Sequence, residues 1–238
     1  MPQFTELWSG GPVFAQAENQ RLGTDSVLLA DFVRARPGRR GIDLGCASGA
    51  IALLLLAREP SLHMTGLELD PGAAEIARVN MEANGFAGRS EIVTGDIRNH
   101  RKLFRTGSFD FVVVNPPYFP LGRGALPPDP ARAAARSETA CTLDELVRAA
   151  AWLLPTGGSL FLVHRPERLS ELCVTLSACA IEPKRLRLVC PRPGSAPSLV
   201  LLEGRRGGRA GLTVEAPLTL YDTDGSESAE YRRIYHRA

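Results

Sequence analysis

Short apolar strands alternate with helices along most of the 238 residues of the chain. Strands are predicted over residues 41–44, 64–69, 91–93, 109–114 and 159–163, and helices over 24–36, 50–58, 71–84, 143–154 and 169–180. This order favours an α/β fold, in which helices cover both faces of a largely parallel sheet. Two more strand-like runs, 185–190 and 198–202, follow the last predicted helix. Because no linker or repeat interrupts it, we expect a single domain over residues 1–238.

A glycine-rich turn follows the first predicted strand. Asp43 lies near the end of that strand, and Gly45, Cys46, Ala47 and Gly49 form the turn that leads into the next helix. In open α/β sheets, ligands bind beyond the carboxyl ends of the strands. Small residues let a ligand approach the backbone, and the following helix presents free N–H groups. These five residues are therefore candidate ligand contacts, although a plain tight turn would also explain the glycines.

Acidic residues follow the next two predicted strands. Glu68 ends the second strand, where a carboxylate can accept hydrogen bonds from two ribose hydroxyls. Asp96 follows the third strand, where it can accept a bond from an adenine amino group. The structural alternatives are a helix-capping acid for Glu68, a role for which Asp70 is better placed, and a turn residue for Asp96. Together the two acids predict a nucleoside-containing ligand, and Leu69 and Ile97 are included in its site.

The fourth strand ends at Asn115-Pro116-Pro117-Tyr118. Two prolines remove two backbone donors and fix the chain, which leaves carbonyl groups directed outward. This arrangement suits methyl transfer to a planar nitrogen, whose delocalised lone pair makes it a poor nucleophile. The Asn115 side-chain oxygen and the Pro116 carbonyl can each accept one N–H bond and so direct the lone pair at a sulfonium methyl group. Tyr118 can stack on the flat face of the acceptor. A rigid turn is the structural alternative.

In these motifs the chain resembles Rossmann-like class I methyltransferases of the small-domain type. More narrowly, it resembles the tRNA(Val) adenine-N6 methyltransferases, which modify the adenosine beside the anticodon. The motifs that carry this resemblance are residues 42–52, GLELD (66–70), Asp96, NPPY (115–118), QRLGTDSVLLADF (20–32), ARSE (135–138), GGSLFLVHRPERLSEL (157–172) and the stretch 183–208. They extend over nearly the whole chain, from about Phe14 to Tyr235.

The resemblance implies both a fold and a reaction. The fold is a mostly parallel seven-stranded sheet with helices on both faces and a C-terminal antiparallel strand. The cofactor is S-adenosyl-L-methionine, and the acceptor is the exocyclic amino group of an adenosine in tRNA. Residues 1–40 form a segment that covers the cofactor, with Arg21 and Thr24 in the cofactor site, and residues 41–238 form the core. One residue departs from the family pattern, because Ala47 stands where the family usually has glycine.

Basic residues predict where RNA is held. Arginine dominates an excess of positive charge in the second half of the chain, although on charge alone a solvated surface is the slightly better explanation. We expect the loop 121–136 to be mobile and to meet phosphates through Arg123, Arg132 and Arg136. Further phosphate contacts are expected from Arg185, Arg187, Arg192, Arg205, Arg206 and Arg209.

Cysteine and histidine spacing argues against other classes of site. Five cysteines form no Cys-x-x-Cys pair, and the four histidines lie at no ligand spacing, so we expect reduced thiols in a cytoplasmic protein and no metal. No apolar run approaches the ~20 residues that a membrane span requires. The oligomeric state is left open, with a monomer as one option.

Three alternatives remain at this stage. Protein glutamine methyltransferases of the release-factor type share the NPPY motif, but carry a helical domain before the first strand, where only about forty residues precede it here. DNA adenine methyltransferases are less favoured, since no segment is large enough for a separate target-reading domain. A non-catalytic RNA-binding protein on the same fold is the third, with Ala47 as its best support.

Overall fold

The computed structural model describes residues 3–16, 22–116 and 141–237. The strands in these ranges are β1 (Thr5–Glu6), β2 (Val13–Phe14), β3 (Arg40–Leu44), β4 (His63–Glu68), β5 (Ser90–Thr94), β6 (Phe111–Val114), β7 (Ser159–His164), β8 (Ile181–Cys190), β9 (Leu199–Arg206), β10 (Thr213–Val214) and β11 (Leu218–Thr219). The helices are α1 (Thr24–Phe32), α2 (Ala50–Arg58), α3 (Pro71–Ala83), α4 (His100–Leu103), α5 (Leu143–Leu153), α6 (Leu169–Ala178) and α7 (Ala229–Ile234).

Seven long strands form one sheet in the order β8-β9-β7-β6-β3-β4-β5. Neighbouring strands from β7 to β5 are parallel, and β9 runs antiparallel to both β7 and β8. This topology confirms the α/β prediction, including its C-terminal antiparallel strand. The two-residue strands β10 and β11 both pair with β8 and bring the sheet to nine strands. The pair β1–β2 forms a separate ribbon.

Alternate residues of the central strands face opposite layers. In β6, Phe111 and Val113 pack with α1 and α2, whereas Val112 and Val114 pack with α5 and α6. Parallel sheets are stable when helices cover both faces, which explains why β6 is apolar throughout. The predicted helices on both faces are therefore confirmed.

The strand order reverses between β3 and β6. From β3 the chain builds outward through β4 to β5, and then returns to β6 on the other side of β3. Asp43 in β3 is paired with Val113 in β6, two residues before Asn115. Ligands in open α/β sheets bind where the strand order reverses. The fold therefore brings the glycine-rich turn and Asn115 to one edge of the sheet.

Several predicted boundaries were wrong, including the end of β9, which extends to Arg206 rather than Leu202. Helix α1 ends at Phe32 rather than Arg36, and the Arg58 guanidinium donates to the Ala30 and Val33 carbonyls at 2.8 and 2.6 Å. Those bonds satisfy carbonyls that would otherwise lack donors at a helix end. Strand β8 begins at Ile181, earlier than predicted, because the irregular register between Pro183 and Arg185 accommodates a proline in a strand.

Membrane-spanning helices and metal-binding clusters are both absent from the described ranges. No helix there is long and apolar enough to cross a bilayer. Likewise, these residues contain no group of three or more His, Cys, Asp or Glu side chains arranged to hold a metal ion.

Candidate active site

The glycine-rich turn connects β3 to α2 at the reversal point. Gly45 has a φ of 76°, and the Gly45 and Cys46 N–H groups both donate to the Leu67 carbonyl, at 2.8 and 3.1 Å. A Cβ atom on Gly45 would meet no heavy atom within 4 Å. On Gly49, by contrast, it would lie 3.1 Å from the Ala77 Cβ atom. Gly45 therefore leaves open space against the backbone, while Gly49 permits close packing of α2 on α3.

Ala47 has a left-handed backbone conformation, with a φ of 50°. Its N–H donates to the Glu68 side chain at 2.7 Å. A left-handed conformation costs an L-residue other than glycine about 1–2 kcal/mol. The backbone at position 47 therefore has a conformation that suits glycine. Because the residue is alanine, this conformation lowers the stability of the fold.

Asp43 is a buried carboxyl group at the same edge, 1% exposed. Neither of its side-chain oxygens has a hydrogen-bond partner in the part of the chain that the structure describes. Burial, and secondarily the negative charge of Glu68, raises its pKa to about 8. Buried polar groups normally have partners, because burial without them costs free energy. A cationic N–H donor bound beside Asp43 would supply the missing partner and would lower this pKa, because an opposite charge favours the ionised carboxylate.

Backbone amides orient the Glu68 carboxylate at the end of β4. One oxygen accepts from Ala47 N–H at 2.7 Å, and the other accepts from Asp70 N–H at 2.9 Å. Each carboxylate oxygen has a second lone pair, so hydroxyl donors can still bind. Leu69, beside Glu68, is 50% exposed and offers an apolar surface. Asp70 caps α3 as predicted, through the Gly72 and Ala73 N–H groups.

Asp96 forms an ion pair that the sequence did not predict. The Arg98 Nε atom lies 3.0 and 2.9 Å from the two Asp96 oxygens, and the Arg98 N–H donates to one of them at 2.8 Å. The Arg98 guanidinium lowers the pKa of Asp96. Asp96 also caps the short 3-10 helix that begins with Ile97. A ligand amino group would have to donate to lone pairs of the Asp96 carboxylate that Arg98 does not already use.

Asn115 directly follows β6 and contacts helix α1. Its Nδ2 atom donates to the Ser26 hydroxyl oxygen at 3.1 Å. Pro116 is buried beside it. Thr24 is the first residue of α1, two residues before Ser26. The predicted residues Arg21 and Tyr118 and the loop 121–136 lie outside the described residues.

Two asparagines of α3 hold the N-terminal strand β2 against the site. Asn80, fully buried, accepts from Ala15 N–H at 2.7 Å and donates to the Ala15 and Ser48 carbonyls at 2.7 and 2.8 Å. Asn84 makes the equivalent pair of bonds to the backbone of Val13. Sequence reasoning missed both residues, although their spacing of four places them on one helix face.

The structure contradicts several predicted phosphate contacts. Arg185 is 7% exposed, donates to Glu203 at 2.8 Å and to the Phe32 carbonyl at 2.6 Å, and lies over the Phe32 ring. Arg187 forms a two-bond ion pair with Glu230. These side chains are fixed inside the fold by acids and carbonyls, so they do not face a nucleic acid.

The other arginines predicted to contact phosphates differ in whether their side chains already bind protein groups. Arg206 donates to the Cys179 carbonyl, and Arg205 lies 3.8 Å from Glu203. Arg192 and Arg209 are exposed, and neither side chain has an acidic partner within residues 3–16, 22–116 and 141–237. Arg192 follows β8 at the same edge as Asn115, and its backbone is fixed by two bonds to the Ser195 hydroxyl.

Comparisons with known proteins agree with this geometry. Residues 5–174 match the family model described as methyltransferase small domain. A Porphyromonas gingivalis protein named tRNA1(Val) (adenine(37)-N6)-methyltransferase is 34% identical over 224 residues, covering 90% of this chain and 86% of that protein.

Two solved structures share the fold. A predicted O-methyltransferase from Agrobacterium tumefaciens superposes with a TM-score of 0.74 at 24% identity, covering 90% of this chain and 96% of that one. The geranyl diphosphate C-methyltransferase of Streptomyces coelicolor, solved with S-adenosyl-L-homocysteine, has a TM-score of 0.58 at 12% identity and 76% coverage of each chain.

Proposed function

The chain belongs to the methyltransferase small-domain family, and on that premise we propose that it methylates the exocyclic amino group of an adenosine in tRNA, with S-adenosyl-L-methionine as donor. The observation that carries this proposal is the position of Asn115. It follows β6 beside β3, so that a polar amide adjoins the glycine-rich turn at the edge where the strand order reverses. The name of the Porphyromonas relative supports tRNA adenosine as the acceptor.

The residues at the ends of β3, β4 and β5 fit the proposed cofactor. Asp43 is a buried carboxyl group without a partner among the described residues, which suits the ammonium group of the methionine part. Gly45 leaves open space against the backbone. Glu68 would accept the ribose hydroxyls, and the exposed side chain of Leu69 would cover an adenine face. When bound, the cofactor supplies an electrophilic methyl group on a positively charged sulfur.

Asn115 and Pro116 would prepare the acceptor nitrogen. The Asn115 Nδ2 atom faces Ser26, so Oδ1 is the end of the amide that can receive an N–H group. With the Pro116 carbonyl, it would accept the two amino hydrogens of adenine and direct the nitrogen lone pair away from the ring plane. Donors and acceptors that are already oriented cost little reorganisation during reaction. The nitrogen would gain the methyl group as the carbon–sulfur bond breaks and a neutral thioether leaves, and it would then lose one proton to water. The proposed base-stacking residue is Tyr118, outside the described ranges.

Arg192 is the described residue best placed to bind tRNA phosphate near this site. It follows β8, which lies three strand positions from β6, so about 14 Å separates the two strands at a spacing of ~4.8 Å. Its exposed guanidinium has no acidic partner in the described chain. Cations that contact phosphates fix the register of a nucleic acid without reading its sequence. An adenosine in an anticodon loop is already partly exposed, which lowers the cost of swinging it out to Asn115.

Methyl transfer from labelled cofactor tests this proposal directly. Purified protein is incubated with total tRNA from a strain that lacks the gene, beside release factors and duplex DNA as competing acceptors. We expect label on N6-methyladenosine in tRNA. Label on a glutamine side chain, with none on tRNA, would overturn the proposal in favour of a protein methyltransferase.

Cofactor binding is measured separately by thermal unfolding. A ligand at one hundred times its Kd stabilises the folded state by about 2.7 kcal/mol. For a domain of this size each kcal/mol raises Tm by roughly 2–4 °C. A folded protein whose Tm does not change at millimolar S-adenosyl-L-methionine would support the non-catalytic alternative.

A further inference from the structure

Helix α1 contacts the candidate acceptor-binding residue across a long sequence separation. The Asn115 Nδ2 atom donates to the Ser26 hydroxyl oxygen at 3.1 Å, and the two residues are 89 positions apart. Ser26 is half-buried in the first turns of α1. This bond joins the segment before β3 to the loop after β6.

The bond acts on side-chain torsions of Asn115 that the neighbouring proline does not fix. Pro116 limits backbone rotation, but not the side-chain torsions of Asn115. The terminal torsion of asparagine is broad and roughly two-fold, so an amide without contacts samples many orientations. The bond from Nδ2 to Ser26 restrains the amide plane, and the carbonyl oxygen at the other end of the amide has two lone pairs that can accept N–H groups. The serine hydroxyl can accept this bond, whereas an alanine side chain cannot.

Ser26 lies on an element that is itself fixed. Val27, Leu28 and Leu29, which follow it, are 8%, 1% and 0% exposed and belong to the core beneath the sheet. A polar contact from a rigid element holds a functional side chain more closely than one from a loop.

We propose that Ser26 is a positioning residue for methyl transfer, which acts by holding the Asn115 amide in the orientation that receives the acceptor amino group. This inference rests on the proposed function of Asn115. It gives helix α1 a role in the methyl-transfer step. This role is separate from any contact that residues 1–40 make with the cofactor.

The first test is a substitution series at Ser26. Ser26→Ala should lower kcat about 10-fold, the lower end of the range for residues that orient a functional group, and leave cofactor affinity and Tm close to wild type. Ser26→Thr retains the hydroxyl and should restore most of kcat. Ser170→Ala on the exposed face of α6 is the matched control and should leave kcat unchanged. Wild-type kcat in the Ser26→Ala protein would overturn the proposal. A Ser26→Thr protein whose kcat is as low as that of Ser26→Ala would also overturn it.

A double-mutant cycle separates this proposal from the proposed function. If Ser26 acts through Asn115, adding Ser26→Ala to Asn115→Ala should produce no further fall in kcat. Two losses that multiply would show that Ser26 acts independently and would overturn the positioning role. If Asn115→Ala retains full activity while Ser26→Ala loses it, the assignment of Asn115 itself is wrong.

Discussion

The buried carboxyl group of Asp43 makes the stability of the free protein decrease as the pH rises. Burial raises its pKa from the ordinary 3.8 to about 8, so the folded protein retains a proton that the unfolded chain has released between those values. The contribution to stability is complete below about pH 4 and is lost as the pH rises towards 8. For one proton, the slope is about −1.4 kcal/mol per pH unit.

Asp43→Asn removes this titration and retains the shape of the side chain. The unfolding free energy of the variant, relative to wild type, should therefore rise by at most about 4 kcal/mol between pH 4 and pH 7. Urea denaturation at half-unit pH intervals measures both proteins. Groups common to both cancel in the difference, including His164, whose pKa burial lowers to about 4.

Asp224→Asn is the matched control for this experiment. Asp224 is exposed, and its hydrogen bond from Ser226 lowers its pKa, so its contribution is constant above pH 4 and lost only in more acidic solution. The difference between this variant and wild type should remain flat from pH 4 to pH 7. Parallel stability curves for wild type and Asp43→Asn would refute the reasoning, because Asp43 would then be ionised in the folded protein.

Three further substitutions test other parts of the site. Asn115→Ala should leave cofactor affinity nearly unchanged but reduce turnover by roughly 10²–10³, as measured with labelled cofactor and tRNA; near-normal turnover would remove it from the mechanism. Ala47→Gly should relieve the left-handed strain and raise stability by about 1 kcal/mol, or Tm by roughly 2–4 °C, and a lower Tm would contradict this. Arg192→Ala should weaken tRNA binding and reduce the log–log salt slope by about 0.7–0.9, whereas Arg105→Ala, an exposed arginine at the opposite edge of the sheet, should change neither; equal effects would show non-specific attraction.

The sequence predicted those features that depend on local pattern. The apolar run of β6 and the glycines after β3 mark buried parallel strands and their ends, so the sheet and the edge that holds Asp43, Glu68 and Asn115 followed from them. The capping role of Asp70 was predicted for the same reason, because a cap lies within three residues of its partners.

Contacts between residues that are far apart in the sequence could not be predicted from local patterns. Arg185 resembles any surface arginine in the sequence, and only the fold places it against Glu203 and the Phe32 carbonyl. The bond between Ser26 and Asn115 likewise joins segments that no local pattern connects. The phosphate contacts predicted from charge composition were therefore partly wrong, because some of those arginines form buried ion pairs within the fold.

The order of the strands also affects the protein while it is being synthesised. Strands β3, β4 and β5, with Asp43, Glu68 and Asp96 at their ends, lie in one continuous stretch from residue 40 to residue 96. At 5–20 residues per second, the ribosome needs roughly 1–4 s more to complete β6, the strand that pairs with the other edge of β3. During that interval β3 is an unpaired edge, which invites wrong partners. A cofactor that binds at the ends of these three strands would contact only residues that are already synthesised, and would stabilise that edge of the sheet before β6 is added.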